Sequence, residues 1–169
     1  MDFQFVGLLV LLHVLFASLW VGAAIYQVTV IGPALMRAGP AAGGFLAALA
    51  RRGGIGRYFA AAGALTITFG GWLYGYEHAH KMLVPFQGRG LWITLGAIVA
   101  ILGFLHAVTM TIPVERKWMR LTNSLRGPPT PEQGAQLQAY GMKLGKSSAI
   151  SATMVGLALL LMLMSRVLT

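Results

Sequence analysis

Two histidines, His13 and His106, stand inside long apolar runs of a chain whose charged residues fall almost wholly outside those runs. An imidazole in hydrocarbon is costly unless it meets a partner, a ligand or a metal, so each marks a candidate site. Imidazole nitrogens offered by two helices of a bundle are also the donor set for a b-type haem, held axially without any cysteine attachment. The competing use is local: an intramembrane histidine can simply hydrogen-bond a neighbouring hydroxyl or carbonyl, and Thr66, Thr68, Thr94 and Thr109 are within the same apolar runs.

The elements that must position these residues follow from hydropathy. Of 169 residues, 57% are apolar and only 10% charged, against about a quarter charged in an ordinary soluble domain. Four stretches reach the ~20 residues that a helix needs to cross a bilayer: Phe3 to Ile31, Arg57 to Tyr76, Leu91 to Ile112 and Lys146 to Val167. The reading is all-α: one transmembrane domain over 1–169, an integral membrane four-helix bundle with connections at 32–56 and 113–145. The first run lacks a basic n-region, is longer than a signal h-region and continues into Tyr26 and Gln27, so it is expected to be a retained helix.

On helix one, His13, Ala17, Trp20, Ala24 and Gln27 share one face and should look inward, leaving Leu, Val, Phe and Ile towards lipid. At 1.5 Å per residue His13 lies ~15 Å below the outer end of its span and His106 ~10 Å above the inner end of its own. In a ~30 Å core this leaves ~5 Å between them along the membrane normal. Gly63 and Gly70, and likewise Gly96 and Gly103, are seven residues apart and so lie near one helix face. Such faces serve helix packing or, more sharply, a flat groove for a porphyrin.

Charge sets the expected topology. Ten of the thirteen Lys/Arg (Arg37, Arg51, Arg52, Arg57, Arg116, Lys117, Arg120, Arg126, Lys143 and Lys146) follow helices one and three, leaving Lys81, Arg89 and Arg166 on the other side. The positive-inside rule then predicts a multi-pass protein of a bacterial-type cytoplasmic membrane with both termini outside. The net charge of +9 is thus a topological signal, and with no aromatic-interleaved basic module it does not point to nucleic acid. Arg57 inside and Lys81 or Arg89 outside are candidate counter-ions for haem propionates.

Punctuation marks the ends. Gly32-Pro33, Gly39-Pro40 and Gly43-Gly44 predict a chain break before a short amphipathic Phe45–Arg52 segment. The apolar run of helix three reaches Pro113, the basic Glu115-Arg116-Lys117-Trp118 stretch can extend the helix into the cytoplasm, and Gly127-Pro128-Pro129 breaks it. Thr130-Pro131-Glu132-Gln133 has the form of a helix cap and first turn. Ser147, Ser148, Ser151 and Thr153 should then face other helices.

Other chemistry is narrower. Cysteine is absent, which excludes disulfides, thiolate metal sites and iron–sulfur clusters. His78 and His80, beside Glu77 and Lys81, form a weaker metal candidate in the outer loop. Among nine methionines, Met110 alone shares a helix face with His106; the others read as packing. Asp2, Glu77, Glu115 and Glu132 all fall at or beyond membrane edges, which fits electron transfer better than proton pumping. No nucleophile–base constellation stands out.

The first helix, with His13 followed by Trp20-Val21-Gly22, resembles the opening helix of the copper-resistance protein D-like membrane family and its relatives, the HemJ-type protoporphyrinogen oxidases. The resemblance covers about the first thirty residues and, loosely, the four-helix layout; Ala23 stands where a second glycine is expected. It implies a compact helical bundle, His13 as a ligand, Trp20 and Gly22 as packing elements and, by the HemJ branch, haem b. The expectation is a membrane b-type haem-binding protein, cytochrome-like, exchanging electrons with a quinone or a periplasmic partner protein. Two alternatives stay open: a CopD-type copper-uptake protein using His13, His78, His80 and methionines, and a structural subunit of a larger membrane complex. Small residues on several helices also permit a homodimer.

Overall fold

The computed structural model of the protein describes residues 3–52 and 55–168; Asp2, expected at the membrane edge, lies outside them. Among the described residues the chain is all-helical, with no strand. Helix α1 spans Phe3–Tyr26 and passes through a π turn, Gln27–Ile31, into α2, Gly32–Ala38. A 3₁₀ turn, Gly39–Ala42, leads to α3, Gly43–Arg52, and then to α4, Ile55–Ala79. Helix α5, Gly88–His106, likewise runs through a π turn, Ala107–Thr111, into α6, Ile112–Ser124, and α7 spans Pro131–Met164.

Three continuous helices are long and apolar enough to cross a membrane: Gln4–Ala38, Gly88–Ser124 and Pro131–Met164. Helix α4, the expected second span, is 25 residues long but is not one of the three. Its Gly70, Gly71, Tyr74, Gly75 and Tyr76 dilute the apolar content of its C-terminal half. Leu8, Leu11, Val14, Leu15 and Leu19 of α1 are exposed, an outward apolar surface suited to lipid.

The helices pack as two antiparallel pairs. Helix α1 lies along α4, and α5 along α7, with smaller contacts joining α1 to α7 and α4 to α5. The α1/α4 pairing is ordered by Tyr58, whose hydroxyl donates to the Leu19 carbonyl, by Trp20 against Gly63 and by His13 against Gly70. The second pair runs from Gly96 against Met162 through Gly103 against Met154 and Val155 to Thr111 beside Ser147. Trp20, Val21, Ala24, Ala62, Ala152 and Val155 form the buried core where the pairs meet. Gly96 and Gly103 therefore serve close helix packing, with neighbouring side chains filling the space that their missing Cβ atoms leave.

The ends differ from the punctuation-based expectation in an instructive way. Gly32-Pro33 was expected to follow the end of helix one, yet that helix continues; the helix through Pro113 runs on to Ser124 and ends before Gly127-Pro128-Pro129, in keeping with the extension allowed for it. Proline lacks an N–H and its ring crowds the carbonyl four residues back. The chain answers by widening the preceding turn: Gly32 N–H donates to the Gln27 carbonyl and Ile112 N–H to the Ala107 carbonyl, each five residues back. The two turns share a Val-Thr-x-x-x-Pro pattern, Val28-Thr29-Val30-Ile31-Gly32-Pro33 and Val108-Thr109-Met110-Thr111-Ile112-Pro113. In each the threonine hydroxyl donates to the carbonyl four residues back, Ile25 or Leu105, at 2.7 Å. This is a local repeat that the sequence reading did not pick out.

Helix α7 begins as expected. Thr130 Oγ1 accepts from Gln133 N–H at 3.3 Å, Gln133 Oε1 accepts from Thr130 N–H at 3.0 Å, and Pro131 occupies the first turn, a reciprocal cap.

At Gly63 a Cβ would stand 2.7 Å from the Phe104 ring and 3.0 Å from Trp20. Gly63→Leu is therefore expected to destabilise the fold by about 1–3 kcal/mol through overpacking, read as a lowered midpoint of unfolding in detergent; an unchanged midpoint would contradict this packing.

Candidate functional site

His13 reaches across from α1 to the backbone of α4. Its Nδ1 lies 3.0 Å from the carbonyl oxygen of Thr66, and Thr66, itself buried, turns its hydroxyl to the Ala62 carbonyl at 2.8 Å. A carbonyl only accepts, so in the neutral ring Nδ1 carries the proton and Nε2 keeps its lone pair. The approach depends on Gly70: a Cβ there would sit 2.7 Å from Cε1 and 2.8 Å from Nδ1 of the imidazole. A carbonyl on one ring nitrogen with the other left as an acceptor is the arrangement that orients metal-ligating histidines.

His106 is held differently. Its Nδ1 lies 2.9 Å from Ser151 Oγ on α7. Ser151 in turn is 3.4 Å from Thr111 Oγ1, which is 2.8 Å from the buried Ser147 Oγ. The result is a string of polar groups between α5, its π turn and α7. Of the hydroxyl residues expected to face other helices, Ser147 and Ser151 do so; Thr153 is exposed. Met110 is exposed as well.

Trp20 and Phe104 fix the relative depth of the two histidines. Their rings meet edge to face at 6.0 Å between centroids. His13 lies seven residues towards the α1 N-terminus from Trp20, and His106 two residues beyond Phe104 in the opposite sense along the parallel helix α5. At 1.5 Å per residue the imidazole-bearing backbones stand about 13 Å apart along the bundle. This backbone offset is larger than the ~5 Å estimated from span ends, and each imidazole has its own partner, the Thr66 carbonyl for His13 and Ser151 for His106.

The remaining candidates are dispersed. Gly63 is filled by Trp20 and Phe104, and Gly103 by Met154 and Val155. Where α4 gives way to α5 the Arg89 guanidinium donates to the Glu77 carboxylate, forming an ion pair. His78 Nδ1 lies 3.3 Å from the Leu83 carbonyl, and His80 Nδ1 lies 2.9 Å from that of Tyr76, whose ring it also covers at 4.1 Å. Among the described residues no three His, Asp or Glu side chains gather where a metal ion could sit. Arg57 is exposed and borders a cavity of about 130 Å³ with Gly56, Ile112, Glu115, Arg116 and Met119.

Glu115 makes a contact that the sequence does not announce. Expected at a membrane edge, it is only 6% exposed, and its Oε1 accepts from Gly56 N–H at 2.9 Å. It caps the N-terminus of α4 from α6, satisfying a donor that helix geometry leaves open. The only available signal was one acid ahead of Arg116 and Lys117 in a basic stretch.

Comparison of the chain with protein-family models, curated proteins and solved structures gives no match.

Glu115→Leu removes the acceptor for a buried N–H, and a loss of about 1–3 kcal/mol is expected. Glu115→Gln keeps an acceptor oxygen and should retain most of that stability. Equal unfolding midpoints for the two variants would show that the cap contributes nothing.

Proposed function

We propose that the protein is a membrane-embedded b-type haem protein that exchanges electrons with a membrane quinone or a periplasmic partner, with His13 as the axial ligand. The observation that supports this reading is the contact between His13 Nδ1 and the Thr66 carbonyl, which leaves Nε2 as a lone-pair donor in an apolar span. The residues fit a single-histidine ligand: the carbonyl holds the ring plane and tautomer, and Gly70 leaves the space beside it. Haem bound there supplies one-electron chemistry at a potential set by the ligand and its dry surroundings. Trp20, 4% exposed, closes the interior below His13 against water. Arg57, exposed at the start of α4, and Lys81, exposed just beyond its end, are the counter-ion candidates, since Arg89 is engaged by Glu77.

The same reading has α1, α4, α5 and α7 all crossing the bilayer, with both termini outside. Close packing of α4 along α1 and the concentration of Lys and Arg after helices one and three support it.

Absorption spectra of purified protein test the ligand. A Soret band with resolved alpha and beta bands on reduction is expected for the wild type, lost in His13→Ala and kept in His106→Ala. A colourless wild type overturns the proposal: stoichiometric copper would then favour copper uptake, and no bound metal a structural subunit.

Because the chain has no cysteine, single-cysteine variants test the topology directly. Ala79→Cys should react with an impermeant maleimide added outside intact cells, and Gly127→Cys only after permeabilisation. The reverse pattern would invert the topology.

A further inference from the structure

The hydroxyl groups of the spans divide into two kinds. Thr29, Thr66, Thr109 and Thr122 each donate to a carbonyl four residues earlier in their own helix, which satisfies a lone hydroxyl where water is absent. Ser147, Ser151 and Thr111 bond to one another instead. Thr111 Oγ1 is 2.8 Å from Ser147 Oγ and 3.4 Å from Ser151 Oγ, and Ser151 Oγ is 2.9 Å from His106 Nδ1. The π turn Ala107–Thr111 makes this file possible. Residues five apart on a regular α-helix point about 140° apart; the wider pitch brings Thr111 back beneath His106, so that both face α7.

The file is open at one end and closed at the other. Four residues beyond Thr111, one turn further on the same face, Glu115 borders the cavity of about 130 Å³. With a carboxylate, Arg57 and Arg116 in its wall, that cavity is roomy and polar enough for water. In the other direction Phe104 meets Trp20 edge to face, with Val155 buried beside them, an apolar layer across the bundle.

We propose that Ser147, Thr111 and Ser151 carry protons between the α6 end of the bundle and His106, making that imidazole a protonation site supplied from one side of the membrane. A hydroxyl oxygen can accept one hydrogen bond while it donates another. A proton reaching Ser147 Oγ sends that group's own hydrogen to Thr111 Oγ1, the Thr111 hydrogen passes to Ser151 Oγ, and the Ser151 hydrogen passes to His106 Nδ1. Every hydroxyl is left with one hydrogen, and the ring, already protonated at Nε2, becomes imidazolium. Chains that join an intramembrane histidine to a carboxylate in this way are the usual form of a proton relay. Among the described residues the charged groups around the file are Glu115 and Arg116 on α6, Lys143 and Lys146 on α7, and Arg57 on α4, of which all but Glu115 are exposed. Helix α1 brings only His13, beyond the Trp20 layer, so the inference stands without haem at that residue.

Nuclear magnetic resonance of the full chain, labelled with nitrogen-15 at histidine and reconstituted in phosphatidylcholine liposomes, tests the relay. The His106 signals are identified by their loss in His106→Gln, and the rate of exchange between neutral and charged ring is read from their line shape as the buffer is taken from alkaline to acid. In the wild type the ring should charge reversibly. Thr111→Val, which keeps the side-chain shape, should slow the exchange about tenfold, as for one lost hydrogen bond, whereas Thr111→Ser, which keeps the hydroxyl, should exchange at the wild-type rate. Should Thr111→Val fail to fold, Ser147→Ala breaks the file at its far end and should slow the exchange in the same way. A ring that stays neutral throughout, or exchange as fast in the hydroxyl-free variant as in the wild type, overturns the proposal and leaves His106 a packing residue.

Discussion

The close approach of α1 to α4 at two glycines is the constraint on which the interior depends. Lipid tails are as apolar as leucine, so helices in a membrane associate through van der Waals contact and hydrogen bonding between surfaces that come near enough. Gly63 admits the Trp20 and Phe104 rings, which seat the two helix pairs against one another. Gly70, two turns further out, admits His13. Only that proximity lets an imidazole reach the Thr66 carbonyl, which lies on the adjacent turn of α4. Tautomer, ring plane and the direction of the remaining nitrogen all descend from the absence of a side chain at one position.

A second rule governs the polar atoms. Nothing in hydrocarbon hydrates a hydroxyl or an imidazole, so each must be answered within the protein. Thr29, Thr66 and Thr109 turn back to their own helices. Tyr74 meets Thr94 across α4 and α5 at 2.8 Å, and His106 joins the Ser151, Thr111 and Ser147 string. The two histidines thus answer the same cost differently: one with a backbone acceptor that leaves a defined donor nitrogen, the other within a set of hydroxyls that can each donate or accept. This contrast, more than depth, distinguishes the ligand-like imidazole from the other.

Much of this was legible in the residues. The inward face of helix one, with Trp20 and Ala24 buried, follows from spacing alone, as does the Thr130 cap from its four-residue pattern. The site was less legible because it depends on where helices end. Gly32-Pro33 reads as the end of helix one, and local chemistry does not distinguish a break from a widened turn once the following residues remain helical. The burial of Glu115 against the start of α4 is likewise a matter of packing between distant segments. The contact between His13 and Thr66 was legible only as a residue type, since the acceptor is the Thr66 backbone and not its hydroxyl. Partners 53 positions apart are set by packing, which periodicity does not encode.

The widened turns have a bearing on how this chain tolerates change in length. Each π turn accommodates one residue beyond regular α pitch, and one residue corresponds to about 100° of rotation about the axis. Everything after Thr111 is therefore indexed to that extra residue. Deleting one amino acid between Ala107 and Thr111 would restore ordinary pitch and leave Glu115 in phase with the α4 N-terminus, but would press Pro113 against a normal turn. Deleting one from the regular stretch after it would instead swing Glu115 by about 100° away from that N-terminus, so each widened turn acts as a length gauge within an otherwise regular helix.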